Sequence, residues 1–292
     1  MFALAGAMAV FSINDMLMKL TAQRYPLGEI ITVRGVIATA LVGAVLASFG
    51  HAVTLRGALH RLVIGRTILD GAAMLLFVSA LIHMPIAELS AINLVSPLMI
   101  TALAVIFFAE DVGWRRWTAI IIGFIGTLFI VKPAGGSFNA WALLGVGCAF
   151  AGATRDVITR KLDAGIPTVA ISFMAALGST LIGAVMGLWE DWGAMALADL
   201  GMLAIAASLL AAGHFFVVIA FRDVDVAAIA PFRYTLLIWA GACGYFAFGE
   251  VPDGFAIFGA TLIVGSGLYA LHREVVRRRT LAAAVPPGEP GV

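Results

Sequence analysis

Residues 85–111 read PIAELSAINLVSPLMITALAVIFFAED, and residues 225–250 read DVAAIAPFRYTLLIWAGACGYFAFGE. Each has a short polar opening, a long apolar run and a closing glutamate. Glu250 stands 140 positions after Glu110, and Ala227 stands 140 after Ala87. Upstream, Asp15 and Lys19 form an i, i+4 pair, and Asp156 and Arg160 form another at an offset of 141. Two stretches sharing nearly one offset, each closing glutamate followed by a glycine-punctuated fifth or tenth run, indicate an internal repeat rather than chance likeness between two Ala-rich segments.

The repeat sits in a chain built almost wholly of such runs. Of 292 residues, 62% are apolar and 12% charged, and the mean hydropathy is +1.05. A soluble domain carries roughly twice that share of charge. The 18 basic side chains balance 17 acidic ones, so there is no basic face of the kind a nucleic-acid binder presents. A bilayer-spanning helix needs about 20 mostly apolar residues. Ten such stretches are predicted, near 2–20, 27–49, 62–82, 85–108, 115–132, 139–160, 168–188, 199–220, 226–248 and 253–271. The expected fold is all-α and integral to the membrane, with ten transmembrane helices in two five-helix repeats, residues 1–132 and 138–272. Five is odd, so the second copy enters the bilayer from the opposite side. Inverted-topology repeats are a recurring plan of secondary transporters, with the substrate site at their interface near the midplane.

Spaced glycines, such as Gly123 with Gly126, Gly183 with Gly187 and Gly241 with Gly244, suit close helix packing in lipid. The first span lacks a basic leader, and Asn14-Asp15 interrupt it, so it reads as a retained helix and not a signal peptide. Residues 280–292 read as a disordered or appended tail. Basic residues set orientation. With the N-terminus in the cytoplasm, Arg56, Arg61, Arg66, Arg115, Arg116, Arg160, Lys161, Arg222, Arg273, Arg277, Arg278 and Arg279 fall inside, and only Arg24 and Lys132 outside. Both termini are expected inside. Trp114 and Trp117 would flank one interface, and Trp141, Trp189 and Trp192 the other. Cys148 and Cys243 lie in apolar runs far from any CxxC spacing and read as unpaired, inert thiols.

The segment Pro85–Glu110, with Ser96-Pro97 inside it, resembles the fourth-helix signature of EamA-type transporters of the drug/metabolite transporter superfamily. Asp225–Glu250 resembles its second copy. The glycines Gly123, Gly126, Gly259 and Gly265 resemble those of the fifth and tenth helices, and Arg34 matches the arginine usual in the second. The resemblance covers residues 1 to about 272 and is strongest to the bacterial aromatic amino-acid exporters. It implies alternating access around a cavity lined by helices 1–4 and 6–9. Two departures stand out. Phe173 and Met174 occupy the place of an arginine matching Arg34, and Leu237 the place of a proline matching Pro97.

Charges inside a bilayer cost about 2.5–3.5 kcal/mol each on the insertion scale, so they pair or face water. Asp15, Lys19, Arg34 and Asp70 are the candidates for gating or ion pairing. Arg34 could partner Asp70 or Asp15. Asp15 with Lys19 reads equally as a self-neutralising pair or as a carboxylate near a substrate path. Glu29, Glu88, Arg155, Asp156 and Arg160 sit near span ends and read as helix staples. Ser90 and Asn93 share a face with Pro97, which frees a backbone carbonyl. With Ser96, Arg233, Tyr234, Trp239, His214 and Phe77, they make the candidate substrate cavity, to which Phe215 could add an aromatic wall. Arg233, beside Pro231 in an apolar run, would want an acidic partner or a substrate carboxylate.

No HExxH or phosphate-cradling GxxxxGK[ST] pattern is present, no Ser/His pairing is indicated and no polar ring suggests a channel. No catalytic residue, metal site or cofactor is expected. The expectation is therefore a monomeric secondary transporter, not an enzyme, exporting amino acids, aromatic ones included, or another metabolite or drug. Its partners are a small organic substrate and the bilayer, with protons an open coupling ion.

Overall fold

The computed structural model describes residues 2–48, 59–108, 113–132, 139–163, 165–221 and 230–284. All regular structure among them is helical: α1 (Phe2–Thr21), α2 (Leu27–Ser48), α3 (Arg61–His83), α4 (Ile86–Asn93), α5 (Ser96–Phe108), α6 (Trp114–Val131), α7 (Ala140–Thr159), α8 (Thr168–Gly187), α9 (Leu197–Phe221), a 3-10 turn (Ala230–Tyr234), α10 (Thr235–Phe248) and α11 (Gly254–Ala284). Nine spans among the described residues are long and apolar enough to cross a membrane, with α4 and α5 together making one. The ninth sequence stretch appears as the 3-10 turn and α10. Glu110, Asp111, Arg222, Asp225–Ala227 and Arg56 lie outside the described residues, as does the tail from 285.

Interspan contacts fix the direction of each helix. The end of α1 meets the end of α10 through Lys19 and Glu250. The start of α9 meets the α1–α2 connection through Asp199 and Arg24. His83, at the end of α3, stacks on Trp141 at the start of α7, with ring centroids 3.6 Å apart. Lys132, closing α6, pairs with Asp253, which precedes α11. All these ends lie on one face of the bundle, here called distal; the start of α1 and the end of α11 lie on the opposite, terminal face. The packing pairs are balanced between halves. The third span packs on the sixth and the eighth on the first, while the second packs on the seventh and the fifth on the tenth.

Glycines set two of these approaches. A Cβ on Gly126 would lie 2.7 Å from the Gly259 carbonyl oxygen, and one on Gly259 would lie 2.5 Å from that of Gly126. Backbone meets backbone here, and no side chain can give way. Gly259→Val is expected to destabilise the α6–α11 pair by about 1–3 kcal/mol, the usual scale of overpacking, read as a lower melting temperature in detergent. Gly183 likewise packs on Ile31 and the Thr32 amide of α2. Gly241 has open space instead, and Gly244 faces the Glu250 carboxylate.

The fourth span runs through the middle of the bundle and is its most buried element. Ile86, Glu88, Leu89, Ser90, Ala91 and Ile92 of α4 are all buried. Ile86, Leu89, Ala91 and Ile92 join Met18, Ile30, Leu81, Met84 and Val95 in the main apolar core.

Candidate functional site

Midway along the fourth span the helix breaks. Pro97 has no N–H, so the carbonyl of Asn93 loses the donor it would have in a continuous helix. The chain tightens there: the Leu94 amide donates to Ser90 O and Ala91 O, both at 3.1 Å, and the Val95 amide donates to Ile92 O at 3.0 Å. Asn93 and Ser96 stand at the two lips of the break. The Asn93 side-chain oxygen accepts from the Cys148 thiol of α7 at 3.5 Å. Phe77 of α3 packs on the cluster containing Cys148, so three of the four cavity candidates from the third and fourth spans lie close together. Ser90, one turn above, is only 2% exposed.

Asp15 of α1 and Arg34 of α2 are linked through Asn14. The Arg34 guanidinium donates to the Asn14 side-chain oxygen at 3.5 Å, and the Asn14 amide donates to Asp15 Oδ1 at 2.9 Å. Asn14 thus bridges cation and anion. α1, which carries Asp15, packs on α9 and α10, helices of the opposite half. Arg34 is buried. A cation and an anion held in the interior, spaced by one amide, offer complementary charges to a zwitterion.

Lys19 does not turn to Asp15. Its ammonium donates to Met84 O at 2.7 Å and pairs with Glu250. The second Glu250 oxygen accepts from the Ile86 amide at 2.9 Å. Gly249, with φ 68°, turns the chain at the end of α10, a conformation costing other residues about 1–2 kcal/mol. The turn folds the Glu250 carboxylate back against Gly244, to 2.7 Å from where a Cβ would be. One carboxylate therefore joins the first, fourth and ninth spans at the distal face.

The rest of that face is tied as well. Asp199 accepts from Arg24 at 3.0 Å and from the Tyr25 hydroxyl at 2.9 Å. Glu190 accepts from the Gly28 and Glu29 amides at 3.0 and 3.3 Å, satisfying orphan donors at the start of α2 from a different span. Glu29 accepts from the Gly193 amide at 3.3 Å. Asp253, outside the spans, is held below the ordinary carboxylate pKa by its hydrogen bond from Lys132 and by that from the Ala256 amide. On the terminal side, Asp70 pairs with Arg155, which also binds Asp156, and Arg66 donates to Thr159 at 3.1 Å. Asp70 thus staples α3 to α7 rather than meeting Arg34.

The remaining candidates lie elsewhere. Arg233 is exposed in the 3-10 turn. The Tyr234 hydroxyl points at Gly267 of α11, occupying the place a Cβ would take there. Trp239 is 42% exposed. His214 is exposed, with Nδ1 2.8 Å from Leu210 O and its ring edge-on to Phe11. Phe215 is 62% exposed, so the structure gathers no aromatic pocket from the ninth and eighth spans. Asn14 and the bridging role of Glu250 are what the sequence reading missed. A polar Asn beside an Asp inside an apolar run was the available signal for the first.

Comparison with known proteins completes the description. Residues 1–132 match the EamA-like transporter family. An S-adenosylmethionine uptake transporter of Rickettsia bellii is 30% identical over 65% of this chain and 65% of its own length. The chain thus spans just under two thirds of that relative. The pseudopaline exporter CntI of Pseudomonas aeruginosa is 27% identical over 87% of this chain and 89% of its own. A riboflavin transporter of Rhizobium johnstonii is 29% identical over 73% and 71%. These relatives carry different solutes and do not single out the aromatic amino-acid exporters. A solved crystal structure superposes on 94% of this chain and 97% of its own with a TM-score of 0.62 at 19% identity, a likeness of fold. Residues 1–132 thus resemble the EamA-like transporter family, and the chain shares the fold of that solved structure.

Proposed function

We propose that the protein is a secondary transporter of small organic solutes bearing an amino-acid-like zwitterionic end. Two inverted halves rock around the break in the fourth span, and the form described here is closed at the distal face. The observation that carries this reading is the buried Arg34 guanidinium linked through Asn14 to Asp15 across the first two spans. A guanidinium suits a substrate carboxylate, and Asp15 suits its ammonium. The balanced pairing of spans between the halves supports the inverted repeat. The amino-acid end of S-adenosylmethionine, carried by one relative, is chemistry of this kind.

Export is the favoured direction, with the terminal face cytoplasmic. It is supported by the basic residues clustered at that end and by the long match to the pseudopaline exporter. An impermeant thiol reagent added outside intact cells reads the orientation: a cysteine replacing Trp189 should react and one replacing Lys161 should not. The function is tested by flux into proteoliposomes across a panel of labelled amino acids, aromatic ones included, with S-adenosylmethionine and riboflavin, with and without a pH gradient. Saturable flux of at least one zwitterion is expected. Flux of riboflavin alone would sink the zwitterion reading, and gradient-independent flux would remove proton coupling.

A further inference from the structure

A cleft of about 460 Å³ lies between α4, α10 and α11. It opens to the outside of the bundle, where Ile257 is 57% exposed. Its walls are mostly small and apolar, among them Ala91, Gly241, Ala256, Ala260 and Gly265, and its distal end holds Glu88. A Cβ on Gly241 or Gly265 would meet nothing within 4 Å, so no neighbouring side chain fills the groove. Ala256 and Gly265 are nine residues apart on α11, a rise of about 13–14 Å. That is close to half the ~30 Å hydrocarbon core, the depth of one leaflet. On α4, Ala87, Glu88 and Ala91 fall on the face away from Asn93, so the cleft lies on the lipid side of the span that carries the break.

Glu88 is 9% exposed. Among the described residues its carboxylate accepts no hydrogen bond and forms no ion pair. The charges facing it are Lys132, Asp253, Glu250 and Lys19. Lys19 is held by Glu250 and Lys132 by Asp253, leaving Glu88 as the acid of the group with no cation of its own. A buried carboxylate needs both a counter-charge and hydrogen-bond donors.

We propose that this cleft binds a phosphatidylethanolamine of the distal leaflet, with its ammonium donating to Glu88 and one acyl chain lying along α11. A primary ammonium brings three N–H donors, which a choline headgroup lacks, and an anionic glycerol headgroup would be repelled. The binding is independent of what the protein carries, so its test reads lipid rather than flux.

The purified protein is incubated with equal amounts of phosphatidylethanolamine, phosphatidylcholine and phosphatidylglycerol of matched chains, and retained lipid is counted by native mass spectrometry. Phosphatidylethanolamine should be retained about tenfold over phosphatidylcholine, the scale of a charge-assisted hydrogen bond. Glu88→Gln should equalise the two. Gly265→Leu, which fills the open groove without a packing clash, should lose all three. Equal retention by the unaltered protein, a preference that survives Glu88→Gln, or undiminished lipid on Gly265→Leu would each overturn the proposal.

Discussion

Replacing Glu250 with Ala should open the distal face and cut transport at least tenfold while leaving the protein folded. The glutamate receives the Lys19 ammonium and the Ile86 amide at once, so its loss strips two spans of their partner. Side-chain exposure at the pair is only 9% and 15%. Removing one partner of a buried ion pair costs about 3–5 kcal/mol, because the other charge stays buried and alone. At 1.4 kcal/mol per tenfold, even about 3 kcal/mol would shift the closed-to-open ratio roughly a hundredfold. The native thiol of Cys148, 7% exposed beside Asn93, is a reporter already in place once Cys243 is replaced by Ser. Its labelling by an impermeant maleimide from the distal side should rise about tenfold or more with Glu250→Ala.

The double variant Lys19→Met/Glu250→Leu separates a gate from a simple staple. Apolar side chains of similar volume often replace a buried pair at no cost to stability. The double variant should therefore melt above Glu250→Ala and below the unaltered protein by about the 1–3 kcal/mol of the Ile86 amide it leaves unpaired, keep Cys148 protected and transport poorly, because an apolar seal does not release on binding substrate. Normal transport in the double variant, or Cys148 labelling unmoved in Glu250→Ala, would make the contact a fold staple and nothing more.

Much of this arrangement was legible in the sequence, and the part that was not has a physical cause. Hydropathy locates the spans because a bilayer tolerates little else. Pro97 announces the break because a missing N–H is a property of one residue. Partnership across the bundle is different. Lys19 is four residues from Asp15 and 231 from Glu250, and the i, i+4 spacing suggested the nearer acid. The chosen partner depends on how Gly249 turns the chain. Asp70 could be listed against Arg34, but only the packing of α3 on α7 hands it to Arg155. The aromatic wall drawn from Trp239 and Phe215 met a limit of another kind. A transmembrane helix is apolar all round, so its pattern does not tell a lipid-facing stripe from an inward one. The Gly241–Gly244 spacing suggested close packing for the same reason, whereas one of the pair borders an open cleft and the other makes room for a carboxylate.

Arg34→Ala is expected to lower flux of a zwitterionic substrate by roughly 30- to 1,000-fold, the range of about 2–5 kcal/mol seen when one partner of a buried, hydrogen-bonded charge pair is truncated. Arg34→Lys should recover part of this, since it keeps the charge but loses the planar fork that matches a carboxylate. The same loss could arise if Arg34 merely neutralises Asp15 so that α1 and α2 can pack. The two readings part at Arg34→Ala/Asp15→Ala. If the pair only offsets its own burial, removing both charges relieves the cost of an unpaired ion, and transport should return with stability. If the pair holds the two ends of the substrate, the double variant should regain its melting temperature yet remain inactive, and the substrate should no longer raise that temperature. Asn14→Ala adds an independent check, because it leaves both charges in place and removes only the amide that spaces them. Flux should fall and substrate-induced stabilisation shrink, with expression unchanged. Full activity in Asn14→Ala together with recovery in the double variant would move the substrate away from α1 and leave the break at Asn93 to be tested without it.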